Sequence, residues 1–169
     1  LSAMDKGSLR QYLESVTIVD PPSKVIHEQV IDQLKQYFIV GGMPEVVDEY
    51  RTTQSFSQVR NIQNDILKTY ELDFSKYSSP HDVMKITSIW KSIPNQLSKE
   101  NKKLFYSQIK KGARARDYEH ALQWLFDAGL VHQVRNVTTP KLPLSGYANE
   151  SIFKLYLFDT GMLSALSNL

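Results

Sequence analysis

The chain has 169 residues, enough for one domain or two small ones. Hydrophobic residues make up 41% and aromatic residues 11%, which suffices for a core and excludes a disordered chain; no apolar run reaches the ~18 residues of a membrane span. Twenty Lys and Arg against eighteen Asp and Glu leave a net charge of +2, and the absence of cysteine excludes disulfides and thiolate metal sites.

The first helix is expected around Leu9, Tyr12 and Leu13, which share a helical face, with Ser2 or Asp5 as its cap. Val19-Asp20-Pro21-Pro22-Ser23 breaks it, because proline supplies no backbone donor. An amphipathic helix starts near Lys24, with Val30, Ile31, Leu34, Tyr37 and Phe38 as its apolar face and Gly41-Gly42 as its stop. Pro44 opens a short helix through Glu45, Val46, Val47 and Tyr50, followed by a polar break from Thr52 to Ser55. The longest helix is predicted from about Ser57 to Phe74, with Val59, Ile62, Ile66, Leu67 and Tyr70 as its inner stripe.

Tyr77-Ser78-Ser79-Pro80 is a turn signal and the expected boundary between a helical subdomain, 1–78, and a winged-helix-like subdomain, 79–169. Val83, Ile86, Ile89, Trp90 and Ile93 trace a further helix, which Pro94 should end or kink before a shorter helix to Leu97. From Lys99 to Arg116 the chain carries seven cations, Lys99, Lys102, Lys103, Lys110, Lys111, Arg114 and Arg116, against the single anion Glu100. A local charge of that kind either solvates a loop or attracts an anionic partner. Tyr118, Leu122 and Leu125 then predict a helix that Gly129 ends. Leu130 to Val137 reads as a strand, Thr138 to Asn149 as a loop, and Ile152 to Phe158 as a second strand, apolar on both faces. Asp159 is placed to cap a last short helix containing Met162, Leu163 and Leu166. The expected fold is α+β and predominantly α-helical.

Motifs of catalysis are missing. No Gly-x-x-x-x-Gly-Lys-Ser/Thr occurs, and Gly41-Gly42 follows a helical pattern, as a helix stop does and a phosphate loop does not. Val46-Val47-Asp48-Glu49 imitates an ATPase strand, but Pro44 stands where that strand would be buried. His27, His81, His120 and His132 are far apart and form no His-x-x-x-His pair. No serine lies in a Gly-x-Ser-x-Gly elbow. The chain is read as non-catalytic, without metal or cofactor, soluble and cytoplasmic, with no basic-then-apolar leader.

Several stretches resemble one family. Tyr37-Phe38-Ile39-Val40-Gly41-Gly42-Met43-Pro44-Glu45-Val46-Val47 is similar to a signature of a large prokaryotic family of AAA-type ATPases. Arg60 to Leu67 with Asp73-Phe74-Ser75-Lys76-Tyr77, Ile93 to Lys103, Lys111 to Glu119, Lys141-Leu142-Pro143-Leu144 and Phe153 to Gly161 resemble the blocks that follow there, in order. Asp159-Thr160-Gly161-Met162-Leu163 departs from the family's Asp-x-Gly-Leu-Leu by one conservative change. The resemblance implies a region lying after the P-loop core, with Walker motifs upstream and often a restriction-endonuclease-like segment downstream. ATP and Mg are thus implied for the full-length protein only, and Leu1 in place of an initiator methionine fits a piece of a longer chain.

Two functions compete. In one, the seven cations Lys99 to Arg116 contact DNA as part of a winged-helix accessory module, with Asp117 and Glu119 opposing phosphate nearby. In the other, the chain docks on or regulates the ATPase core of the same polypeptide, or presents Arg114 or Arg116 to a nucleotide in a second copy of the chain. Neither reading involves a membrane.

Overall fold

Proline or glycine stands at most of the breaks between the helices. A computed structural model describes residues 7–17, 19 and 21–169, and among these residues it places eight α-helices, one 3₁₀ turn and a two-stranded antiparallel sheet. The fold is a predominantly helical α+β arrangement. The expected caps Ser2 and Asp5 lie outside the described residues. Among the described residues no helix is long and apolar enough to cross a membrane.

The chain divides into two compact units, one made of the residues up to Ile66 together with Asp159–Leu169, the other of Leu67–Phe158. The turn at Tyr77–Pro80 therefore lies inside the second unit and marks a helix break. Two things put the divisions elsewhere. Tyr70 and Phe74, late in the longest helix, pack on Trp90, and the residues from Asp159 return to the helices before Ile66.

In the first unit, α1 spans Gly7–Ser15 and α2 spans Lys24–Val40. Ser23 caps α2, its Oγ accepting from the Ile26 N–H at 3.4 Å. Gly41 ends α2 with φ +76° and donates its N–H to the Tyr37 carbonyl at 2.7 Å. Helix α3, Pro44–Thr53, has proline in its first turn, where a missing donor costs no hydrogen bond. Helix α4, Phe56–Tyr77, is longer than the periodicity predicts, and its residues from Leu67 onward belong to the second unit. Helix α8, Thr160–Leu166, closes the first unit.

The residues at this closure are tightly specified. Asp159 caps α8, with Oδ1 accepting from the Met162 N–H at 2.9 Å, while Oδ2 accepts from the Gly42 N–H at 2.7 Å. A side chain on Gly41 would overlap that carboxylate, and one on Gly161 would overlap the Val40 carbonyl. Gln63 of α4, fully buried, donates to the carbonyls of Ile39 and Val40 at 2.8 and 3.1 Å. Arg60, one turn earlier, donates to Ser164 Oγ at 3.0 Å and to the Leu169 carbonyl at 2.7 Å. Burial lowers the Arg60 pKa from its ordinary value. The expected apolar face of α2 is not the buried one: Leu34 and Phe38 are 42% and 51% exposed, while Val40 is sealed.

The second unit adds α5, Pro80–Leu97; α6, Tyr106–Ile109; α7, Ala115–Asp127; and the strands β1, Val131–Val137, and β2, Ala148–Leu157. Ser79 caps α5 through Asp82 N–H at 3.2 Å, and the helix continues through Pro94 to Leu97. Pro94 has no N–H to offer the Trp90 carbonyl four residues earlier, so the helix passes this point with that one bond missing. Phe74 is the hub of the core. It meets Trp90 at 5.7 Å and Trp124 at 5.4 Å, both edge-to-face, the arrangement that aligns a positive ring edge with a negative ring face. Tyr70 adds edge contacts to Trp90 and Phe158 at 6.4 and 5.8 Å. Gly129, at φ +68°, turns the chain from α7 into β1. Buried Phe153, Leu155 and Leu157 alternate with the exposed Lys154 and half-buried Tyr156 on β2, so one face of the strand is covered and not both.

Gly161→Ala should destabilise the protein by about 1–3 kcal/mol, the usual cost of overpacking, and Asp159→Ala by a similar ~1–3 kcal/mol through loss of the cap and the Gly42 bond. Urea denaturation followed by circular dichroism measures both. Since both tryptophans, Trp90 and Trp124, lie in the second unit, an early loss of ellipticity without the fluorescence change assigns the damage to the first.

Candidate nucleic-acid interface

The seven predicted cations lie on the path from α5 to α7, and the structure explains how that path is held. Buried Gln96 anchors its start: Nε2 donates to Ser92 Oγ at 3.0 Å and Oε1 accepts from the Phe105 N–H at 2.7 Å. Next to it, the Leu104 N–H donates to the Phe153 carbonyl at 2.8 Å, tying the path to β2. The four-residue helix α6 follows, absent from the sequence reading because Tyr106–Ile109 is too short to show a period. Tyr106 packs on buried Tyr118 with ring centroids 6.0 Å apart. Burial, helped by the Glu119 carboxylate, raises the Tyr106 pKa above the ordinary phenol value. Gly112, at φ +79°, makes the turn that leads to α7, and the Ala113 N–H donates to the Lys110 carbonyl at 3.0 Å. Asp117 fixes the start of α7, accepting from the Arg114 N–H at 3.1 Å. The Arg114 guanidinium has no acceptor to return that bond.

The seven side chains are not brought to one place. Lys103 lines a cleft of about 280 Å³ beside the ribbon, and Lys110 and Lys111 line a second cleft of about 420 Å³. Lys99, Lys102, Arg114 and Arg116 are exposed and line neither cleft. The Lys103 ammonium stands 4.7 Å from the centroid of the Phe105 ring, a cation–π contact that restrains it. Arg116 Nε is 3.9 Å from Asp117 Oδ1, a solvent-exposed pair.

The ribbon cleft includes two cations outside the predicted segment, Arg135 and Lys154, with Asn101, Asn136 and Tyr156. Cross-strand register shows why they gather. Val134 faces Lys154 and Arg135 faces Phe153, but Asn136 pairs with Asn149, so Glu150, Ser151 and Ile152 form a bulge. Bulges re-aim neighbouring side chains. Arg135 reaches across this one to within 3.8 Å of Glu150, and the Ser151 N–H donates to Asn149 Oδ1 at 2.9 Å. Alternation along both predicted strands puts Val134 and Lys154 on the exposed face, but only the pairing register shows that Arg135 and Lys154 share a cleft with Lys103.

Charge separates the units. Leu67–Phe158 carries fourteen Lys and Arg against eight Asp and Glu, a net +6, and the remaining residues carry six against ten, a net −4. On α7, however, the exposed residues Arg116, Asp117, Glu119, His120, Gln123 and Asp127 include one Lys or Arg and three acids. Among the described residues no group of three or more His, Asp or Glu is placed to hold a metal ion.

The family described as Domain of unknown function (DUF8612) matches residues 31–169, most of the chain. The chain belongs to the DUF8612 family. Comparison with curated proteins and with solved structures finds no match. The DUF8612 match starts inside α2 and takes in every later element, so it covers both the Asp159 closure and the basic unit.

Gln96→Leu should cost about 1–3 kcal/mol, since it leaves the Phe105 N–H without its partner. Lys103→Ala should cost less than about 1 kcal/mol, the loss of a half-exposed cation–π contact. Thermal unfolding of the two variants side by side checks the order.

Proposed function

We propose that this chain is a non-catalytic accessory module of a prokaryotic AAA-type ATPase and that its second unit contacts nucleic acid. The observation that carries this reading is the +6 charge of Leu67–Phe158, with Lys103, Arg135 and Lys154 around one cleft beside the ribbon. The element order supports a winged-helix arrangement. Helix α5, the Leu104-to-Phe153 backbone bond, α6, α7 and an antiparallel ribbon follow one another as in that fold. The three exposed acids of α7 argue against burying that helix in a groove. Backbone phosphates are then met by the ribbon and by the lead-in from Lys99, which positions the module without reading bases. The family resemblance supplies the ATPase context, with ATP and Mg belonging to the P-loop core.

A second reading rests on a different observation. Val25, Leu34, Tyr37 and Phe38 of α2 are exposed, and large apolar side chains grouped on one helix favour a protein partner such as the ATPase core or another copy of the chain.

Fluorescence anisotropy with a labelled duplex at several salt concentrations separates the two. The expected result is weak binding without strong sequence preference. If Lys102, Lys103, Arg135 and Lys154 each meet a phosphate, the slope of log affinity against log salt is about −3.6, from roughly 0.9 per contact. Their joint replacement by Ala should flatten the slope by about that amount. No binding at low salt, or binding unchanged by the four substitutions, favours the protein-docking reading.

A further inference from the structure

The cleft lined by α5 and by the turn before α7 is built differently from the ribbon cleft. Its basic lining comes from two separate elements: His81 and Lys85 from the start of α5, and Lys110 and Lys111 from the turn before α7. The Gly112 turn fixes the second pair, since φ +79° suits glycine and the Ala113-to-Lys110 bond closes it. Among the described residues none of Lys85, Lys110 and Lys111 pairs with a carboxylate. The one acid in the lining, Asp117, already accepts from the Arg114 N–H and lies beside Arg116. Three lysines and one carboxylate thus line a space of about 420 Å³, and that carboxylate also serves the Arg114 N–H.

We infer that this cleft binds a phosphate group of more than one negative charge, as a diphosphate or a terminal phosphomonoester. Ammonium groups donate and cannot accept, so the ligand must be rich in acceptors. Lysine meets phosphate as a point charge, whereas planar carboxylates favour the two-pronged guanidinium, and no arginine lines the cleft. A doubly charged tetrahedral group offers three oxygens to three ammoniums and relieves their repulsion. An internal phosphodiester brings only one charge. Of the two ring-bearing residues in the lining, Tyr118 is buried against Tyr106 and offers no open face, whereas His81 is exposed at the start of α5. The lysines recognise the phosphate itself, whatever it is attached to. This site stands apart from the duplex-binding reading, because a small phosphate compound needs only the cleft.

Calorimetric titration of the chain with inorganic pyrophosphate at low salt tests it. Saturable one-to-one binding is expected, weakened at least about tenfold by Lys110→Ala with Lys111→Ala, the loss typical of charge-assisted hydrogen bonds. Lys99→Ala with Lys102→Ala removes the same charge outside the cleft and should change affinity less than about twofold, since distant exposed charges are screened. All four lysines are exposed, so the fold is expected to persist, and circular dichroism verifies it. A short oligonucleotide with a 5′-phosphate, compared with its 5′-hydroxyl twin, identifies the source. A preference for the phosphorylated strand that Lys110→Ala with Lys111→Ala abolishes assigns a strand end, and pyrophosphate binding without that preference assigns a small ligand. No saturable binding of either probe, or equal weakening by the two lysine pairs, overturns the inference.

Discussion

The carboxylate of Asp159 is the interaction on which closure of the first unit depends. One oxygen starts α8 and the other holds the Gly42 backbone. A helix start and a helix end are therefore bound to the same side chain, and the backbones must come close enough for both bonds to form. That closeness explains the glycines. Neither position 41 nor position 161 has room for a Cβ, and at φ +76° position 41 is also conformationally suited to glycine. Gln63 completes the joint by accepting no substitute for its two carbonyl bonds: a hydrocarbon in its place would leave Ile39 and Val40 with one fewer donor in a buried site. Residues that look like a sequence motif here are the parts of one packing joint.

In the second unit the corresponding role falls to aromatic rings. Phe74 joins α4 to α5 and α7 through edge contacts with Trp90 and Trp124, and Tyr70 extends the cluster to Phe158. The rigid core so made lets the path from Lys99 to Arg116 be irregular. Its backbone is tied at Phe105 by Gln96 and at Leu104 by β2, and between such ties the lysines are free to face solvent. Along this path positive charge is displayed mostly from loops, whereas the exposed surface of α7 carries three acids against one arginine.

Most of the architecture was legible because it follows from period and punctuation. The helices around Val30, Val46, Ile86 and Leu122, the strand pair, the Gly129 turn and the Asp159 cap all occur where those signals put them. Three features are not set by those signals. Pro94 does not end α5, which runs on to Leu97 although the proline removes one intrahelical bond. The stripe of Leu34, Tyr37 and Phe38 has helical spacing yet remains exposed, since periodicity states that a face exists and not what covers it. The turn at Tyr77–Pro80 separates two helices of one unit. For the candidate site, the seven cations were visible as a run, but a run carries no depth. Lys85, Arg135 and Lys154 join them only through tertiary placement, and the register jump between Arg135 and Asn136 has no local sequence marker.

The division of the chain also has a kinetic side. Leu67–Phe158 is one continuous segment, so every residue of the second unit is synthesised before Asp159. The first unit is interrupted, and its Gly42-to-Asp159 bond spans 117 residues. Contacts of such separation are slow to find, even though the entropy of closing a longer loop grows only by about 0.6 kcal/mol per doubling. Folding of the intervening segment shortens that search, because a compact body replaces a flexible loop. During synthesis the positively charged body is thus complete first, and the helices preceding it acquire their last partner, α8, only afterwards.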